Sequence, residues 1–341
     1  MSTSISFSEN AHLFFEKRIA DFAESLSIEF KKVTRFYVIF HLFFAMLVFT
    51  ELLLFAIFFS FWIQSATISF ILAAFLLTGF SYFVLLSYFQ TKKPQQLYEL
   101  GQSFIASCKS SLSEEDLLSL SHAIYRVALY FDRLEVEYYV LPFLGETLNA
   151  LLKKFSVYCH WRDVLKMKEF LLLAAISEHV ALIKKEPTDL EAHAALAEGY
   201  LKLAKLYKEP QEEEGKPTLP WIPPDYASEP MQAKLRQACE RAIEEFKIIE
   251  AYVTEDPWVH AQLAGVYHDI GQAEMEIAEY EKMLQISPND RAVMFQLGSL
   301  YFQQGRTARG LQVYEKLKKL RDENAQSLLA YYDTYTLKAF E

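Results

Sequence analysis

Two long apolar runs between Phe36 and Phe89 constrain this chain more than any other feature. They occupy residues 36–62 and 68–89, and each exceeds the roughly 20 residues a helix needs to cross a hydrocarbon core. A crossing helix satisfies its backbone hydrogen bonds internally, as lipid demands. The polar tip Gln64–Thr67 between the runs is too short for a folded domain. The pair therefore predicts a transmembrane helical hairpin spanning a lipid bilayer, with Trp62 and Tyr88 where interfacial aromatics belong.

The flanks orient the hairpin. Lys31, Lys32 and Arg35 precede the first run, Lys92 and Lys93 follow the second, and the tip carries no charge. Positive residues favour the cytoplasmic side, so a multi-pass membrane protein with both termini cytoplasmic is expected. Two residues inside the first run are polar and ionisable, Glu51 near its middle and His41 nearer the cytoplasm. Such residues mark function by default. Here a structural role is at hand: counted from the tip, Glu51 falls level with Thr78, Gly79 and Ser81, where a hydroxyl could fasten the two helices or a second copy could join them.

Composition narrows the rest. A net charge of −10 and a pI near 5.4 argue against nucleic acid, which calls for a basic footprint. Mean hydropathy is barely positive at +0.06, because the apolar mass is concentrated at 36–89. Glycine is sparse and no hairpin-like alternation recurs, so the chain is expected to be all-α. Cys108, Cys159 and Cys239 are odd in number and far apart, which suits a reducing compartment better than a disulfide framework.

Before the hairpin, residues 1–35 carry an apolar stripe, Phe15, Ile19, Phe22, Leu26, Phe30 and Val33, at helical spacing. It reads equally as a helix packed on protein or as one lying on the bilayer. After the hairpin, 90–137 reads as a helical connector. Ser113 with Glu114, Glu115 and Asp116 predicts a helix start, and Leu117, Leu120, Ile124, Val127, Phe131 and Leu134 carry its apolar face onward.

The C-terminal part repeats itself. Leu263/Leu297, Tyr267/Tyr301, Gly271/Gly305 and Tyr280/Tyr314 are each separated by 34 positions. Each unit reads as two antiparallel helices turning at the glycine, with Pro288 closing the first unit. This resembles the tetratricopeptide repeat (TPR), strongly over 257–290 and 291–324. The departures are Glu276 and Gly310, which stand where that family places a small alanine. Gly310 keeps a close approach but weakens its helix; Glu276 puts its packing in question. An earlier unit opens with Leu196, Ala197 and Tyr200 and closes with Ala242, Phe246 and Ile249. Its proline-rich insertion, 209–229, forbids a further helix pair and contains Trp221-Ile222, a candidate docking motif. A weaker unit is expected between 138 and 189, with Leu144-Gly145 and Leu148 in its first helix, and a capping helix at 325–340. The resemblance thus implies an α-solenoid over 138–341 with a continuous core and a concave groove.

In this family the first helices of successive repeats line the groove. The resemblance places Glu191, Glu198 and Lys202 there, then Trp258, Gln262, His268 and Asp269, then Phe295, Gln296, Ser299, Phe302 and Gln303. The Lys, Arg and Asn cluster by which some members clamp a terminal carboxylate is missing. An aromatic, weakly acidic groove suits a protein or peptide with apolar anchors.

Signatures of catalysis are lacking: there is no phosphate-cradling glycine loop, no G-x-S-x-G and no H-E-x-x-H. Cys159-His160 has no further Cys or His at ligand spacing, and His260 and His268 read as groove or packing residues. Neither enzyme activity nor a cofactor or metal is expected. The leading expectation is a membrane-anchored scaffold that recruits protein partners. A bilobed hairpin behind a serine-rich N-terminus is also similar to the inclusion-membrane proteins of obligate intracellular bacteria, which implies secretion and recruitment of host factors. A third expectation is an accessory subunit of a transport or assembly complex that uses Glu51.

Overall fold

The computed structural model describes residues 2–58, 65–111, 117–140, 145–210 and 219–338. Eleven α-helices lie among them, with no strand. They are α1 (Ser2–Phe58), α2 (Ser65–Ser111), α3 (Leu117–Tyr130), α4 (Glu146–Lys185), α5 (Leu190–Tyr207), α6 (Glu229–Tyr252), α7 (Pro257–Asp269), α8 (Ala273–Ile286), α9 (Arg291–Gln303), α10 (Thr307–Lys319) and α11 (Asn324–Lys338). They divide into two compact units, Met1–Glu178 with Pro210–Pro223, and His179–Glu209 with Pro224–Glu341.

In the first unit, α1 and α2 form an antiparallel pair. Its contacts climb in step: Tyr37 Oη donates to Gln96 Oε1 at 2.8 Å, and Phe40 meets Phe89 edge-on at 4.8 Å. Further along, His41 Nδ1 lies 3.2 Å from Tyr82 Oη, and Thr78 Oγ1 donates to Glu51 Oε1 at 2.7 Å. Both helices are long and apolar enough to cross a membrane. They are also longer than the sequence suggested. The amphipathic segment and the first run form one helix, and so do the second run and the start of the connector, because nothing at 35–36 or 89–90 breaks a helix. α2 even continues through Pro94. The expected tip shrinks accordingly: Ser65, Ala66 and Thr67 belong to α2, while Gln64, Trp62 and the Ser113 cap lie outside the described residues.

From Ile19 onward the N-terminal stripe packs on protein, while Phe15 lies outside the described side chains. Ile19, Leu26 and Phe30 are buried, and Phe30 meets Phe131, just beyond α3, edge-on at 5.1 Å. Thr34 Oγ1 donates to Tyr138 Oη at 3.1 Å and Arg35 Nη2 to the Tyr138 carbonyl at 2.9 Å. On α3 and the turn after it, Leu120, Ile124, Val127, Phe131 and Leu134 form the buried face.

The weak repeat expected at 138–189 is not a helix pair. Residues 146–185 form a single α4, since no glycine or proline between them supplies a turn. Leu148, expected in that unit's first helix, lies exposed on α4.

In the second unit the helices pair as α5 with α6, α7 with α8 and α9 with α10, and α11 packs on α9. Asp189, Asp256 and Asp290 cap the first helices, accepting from Glu191 N, Trp258 N and Val293 N at 2.9–3.1 Å. At the turns, Gly271 and Gly305 take φ of 72° and 69°. The next amides reach back to the Tyr267 and Tyr301 carbonyls at 2.8 Å, a left-handed helix stop that favours glycine. Outside 211–218, the insertion is irregular apart from a short 3-10 turn at Pro224–Ala227.

Both departures from the family pattern resolve as matched pairs. At Gly310 a Cβ would fall 2.5 Å from the Phe302 ring, so glycine is what admits that ring. One repeat earlier, His268 stands where Phe302 does, and Glu276 where Gly310 does; Glu276 is buried and pairs with His268 Nδ1 at 3.2 Å. Burial pushes the Glu276 carboxyl up, with the imidazole opposing. We expect Gly310→Ala to destabilise α9–α10. The helix gains about 1 kcal/mol of propensity but overpacks the ring at a cost of roughly 1–3 kcal/mol. Amide hydrogen exchange across α9–α10 reads the loss, and Phe302→Leu should recover part of it.

Candidate protein-interaction site

The first helices α5, α7 and α9 carry the residues that the resemblance assigns to a groove, and the structure sorts them. Glu191, Glu198 and Lys202 are exposed on α5, the last two paired at 3.4 Å. Trp258, 40% exposed at the start of α7, rests its ring edge on Phe246 of α6 at 5.7 Å. Gln262 is half-buried, and Gln296 and Gln303 are exposed. At the end of α7, His268 is held by Glu276, and Asp269 receives Lys208 Nζ at 2.6 Å, which ties it to the end of α5.

The α9 set is largely withdrawn. Phe302 is 3% exposed and packs against Tyr332 of α11 at 5.6 Å. Ser299 is buried and donates to the Gln296 carbonyl at 2.8 Å. Phe295 is half-buried and meets Tyr331 edge-on at 6.0 Å. Phe302 and Ser299 are therefore packing residues. The periodicity that placed them did not show that α11 would cover this helix.

Reading single helices missed a repeated polar latch. His193 stands four residues after cap Asp189, and His260 four after cap Asp256. Each Nδ1 meets a carboxylate of the second helix, Glu245 at 2.6 Å and Glu279 at 2.7 Å. Each Nε2 meets a carbonyl six residues back, Pro187 at 3.1 Å and Thr254 at 3.2 Å. With oxygens on both sides, each ring is suited to donate from both nitrogens. In the next repeat the same two positions are Met294 and Val313, both buried in an apolar cluster. The signal was present: His193 and His260 are 67 positions apart, as are Leu196 and Leu263.

Glu250, His260 and Glu279 converge closely enough to resemble a metal site. A cation already occupies it, since Lys282 Nζ lies 2.7 Å from Glu250 and 2.9 Å from Glu279. Burial opposes that charge, but the two carboxylates outweigh it and raise the lysine's pKa. Elsewhere, burial pushes the Cys159 thiol up to about 11. It also pulls the adjacent His160 down to about 3, helped by Lys93 and Arg35. Both shifts run opposite to those that create a reactive thiolate–imidazolium pair.

For His193, burial lowers the pKa, but the Glu245 and Pro187 hydrogen bonds and the Glu245 charge outweigh it and leave it raised. The latch then contributes its full stability below pH 6.5, the ordinary histidine value, and loses it as pH rises through the raised one. Exchange protection of α5 and α6, corrected for intrinsic rates, should differ most between the native chain and His193→Gln below that value. The difference should shrink on the alkaline side.

Comparison with family models bears on the two C-terminal helix pairs. Residues 259–290 and 292–324 match the tetratricopeptide repeat family. No curated protein matches the chain. Among solved structures, a TPR protein of Thermus thermophilus is similar at 18% identity, with 71% of this chain and 98% of that one covered and a TM-score of 0.31. The helix pairs α7–α8 and α9–α10 thus coincide with the two matched tetratricopeptide repeats, a kind of unit that generally binds protein partners.

Proposed function

We propose that the protein is a membrane-anchored scaffold, with α1 and α2 crossing a bilayer as a hairpin, both termini cytoplasmic, and the repeats recruiting a protein partner. One observation carries the anchor. Phe43, Met46 and Phe49 on α1, and Phe70, Leu76 and Phe80 on α2, all point outward with most of their surface bare. A water-soluble fold does not leave so large an apolar area open. The lysines and arginine that set the orientation stand at the other end of this bare zone. In this reading the Thr78–Glu51 bond is a fastener within the hairpin, of the kind worth about 0.6 kcal/mol.

For the partner surface, the groove candidates left accessible include Glu198, Lys202, Trp258, Gln262, His268 and Gln303. Trp258 is the strongest, an exposed aromatic anchored on a rigid neighbour.

Two measurements test this reading. The full chain should stay in the membrane pellet after alkaline carbonate, and protease added to the cytoplasmic face of sealed vesicles should digest the repeats; release by carbonate overturns the anchor. A photoreactive residue at Trp258 should crosslink a discrete protein in native membranes. Trp258→Ala should lower recovery of that partner at least several-fold without loss of the chain itself, and unchanged recovery overturns the groove assignment.

A further inference from the structure

We infer that the first three turns of α4 are a third membrane-contacting element, seated in the cytoplasmic leaflet beside the hairpin; this rests on the anchor reading above.

The inference starts from register. α4 runs parallel to α2, because their contacts keep a constant offset. Lys93 pairs with Asp163 at 2.5 Å, Gly101 accommodates the Phe170 ring, and Lys109 pairs with Glu178 at 2.6 Å. The offset is 70, then 69, then 69 positions. α4 holds no proline or glycine, so nothing in its sequence breaks the helix N-terminal to Asp163. At that offset Tyr158 falls level with Tyr88, Phe155 with Leu85, Leu151 with Ser81 and Tyr82, and Leu148 with Thr78 and Gly79. These α2 residues belong to the apolar run.

The side chains fit that depth. Leu148, Leu151, Phe155 and Tyr158 recur at spacings of 3, 4 and 3 and share one face. All four are exposed, Leu151 at 63% and Tyr158 at 69%. Along the same face the next positions are Arg162 and Lys166, also exposed. The change from apolar through tyrosine to basic falls at the same level as on α2, where Tyr88 gives way to Lys92 and Lys93. Arg35 on α1 joins them there through Tyr138. Three helices thus mark one plane, the pattern of an aromatic belt under a basic headgroup layer.

Trp221 of the insertion belongs to this belt. Its ring lies 5.6 Å from that of Tyr158, and Ile222 beside it is exposed. From Tyr158 to its first residue α4 advances about 18 Å, comparable with one leaflet's half of the core. Lys153 and Lys154 lie within that reach, where long stems let the ammonium groups return to the headgroups. The sole carboxylate there, Glu146, stands in the first turn, where the helix dipole favours it.

The occupant is therefore lipid: acyl chains against the stripe and anionic headgroups against Arg162 and Lys166. The test places photoreactive p-benzoylphenylalanine at Leu151 or Phe155 of the full chain in phosphatidylcholine–phosphatidylserine bilayers. Leu76 serves as the hairpin control and Lys184 as the aqueous control. Lipid adducts at 151 and 155 matching those at 76, and several-fold above 184, are expected. Adducts at 76 alone overturn the inference and leave the anchor standing. Adducts at neither site overturn both. Crosslinks from 151 or 155 to a second copy or to another protein, in place of lipid, overturn it in favour of a protein contact.

Discussion

Bare hydrocarbon is the constraint on which the rest of this structure depends. Along α1 from Ile39 and along α2 from Phe70, large apolar side chains face outward with much of their surface bare. Among the described residues, the polar contacts between the two helices include Tyr37 with Gln96, Tyr82 with His41 and Thr78 with Glu51. Ring packing around Phe40, Phe44, Tyr82 and Phe89 supplies the remainder of the seam. Such a pair is closed from within and open without, which suits a surrounding that supplies dispersion but no hydrogen bonds.

At the charged end of the pair the solvent changes, and the protein changes with it. Lys93, Arg35 and Lys31 meet Asp163, the Tyr138 carbonyl and the Tyr138 ring. Their charges are therefore partly spent inside the protein. Asp163 is buried, and burial raises its carboxyl pKa even with Lys93 beside it. A basic flank can orient a hairpin and brace it with the same side chains.

The sequence was most legible where one period governed a long stretch. The 34-residue spacing located α7 to α10 and both glycine turns, because a positive φ leaves a mark on residue choice that no neighbour can substitute. Hydropathy found the two apolar runs but not the ends of their helices. Helix propensity carries across 35–36 and 89–90, and an amphipathic pattern does not register the change of surroundings. α4 was misjudged for a related reason: Leu144-Gly145 and Leu148 imitate a repeat opening, but the turn such a unit needs has no residue to make it. The groove was half legible. Position along a first helix is periodic, whereas cover from α11 over Phe302 and Ser299 is a tertiary fact without a periodic trace.

The matched substitutions between neighbouring repeats have a consequence for how this array can diversify. His260 with Glu279 becomes Met294 with Val313, and His268 with Glu276 becomes Phe302 with Gly310. Each change involves both helices of a hairpin at once. A crossover that fell between those helices would join Met294 to an acid, or press Phe302 onto a carboxylate with no imidazole. Breakpoints at the aspartate caps would carry each couple intact, so the whole hairpin, not the single helix, is the unit that unequal exchange could duplicate without penalty.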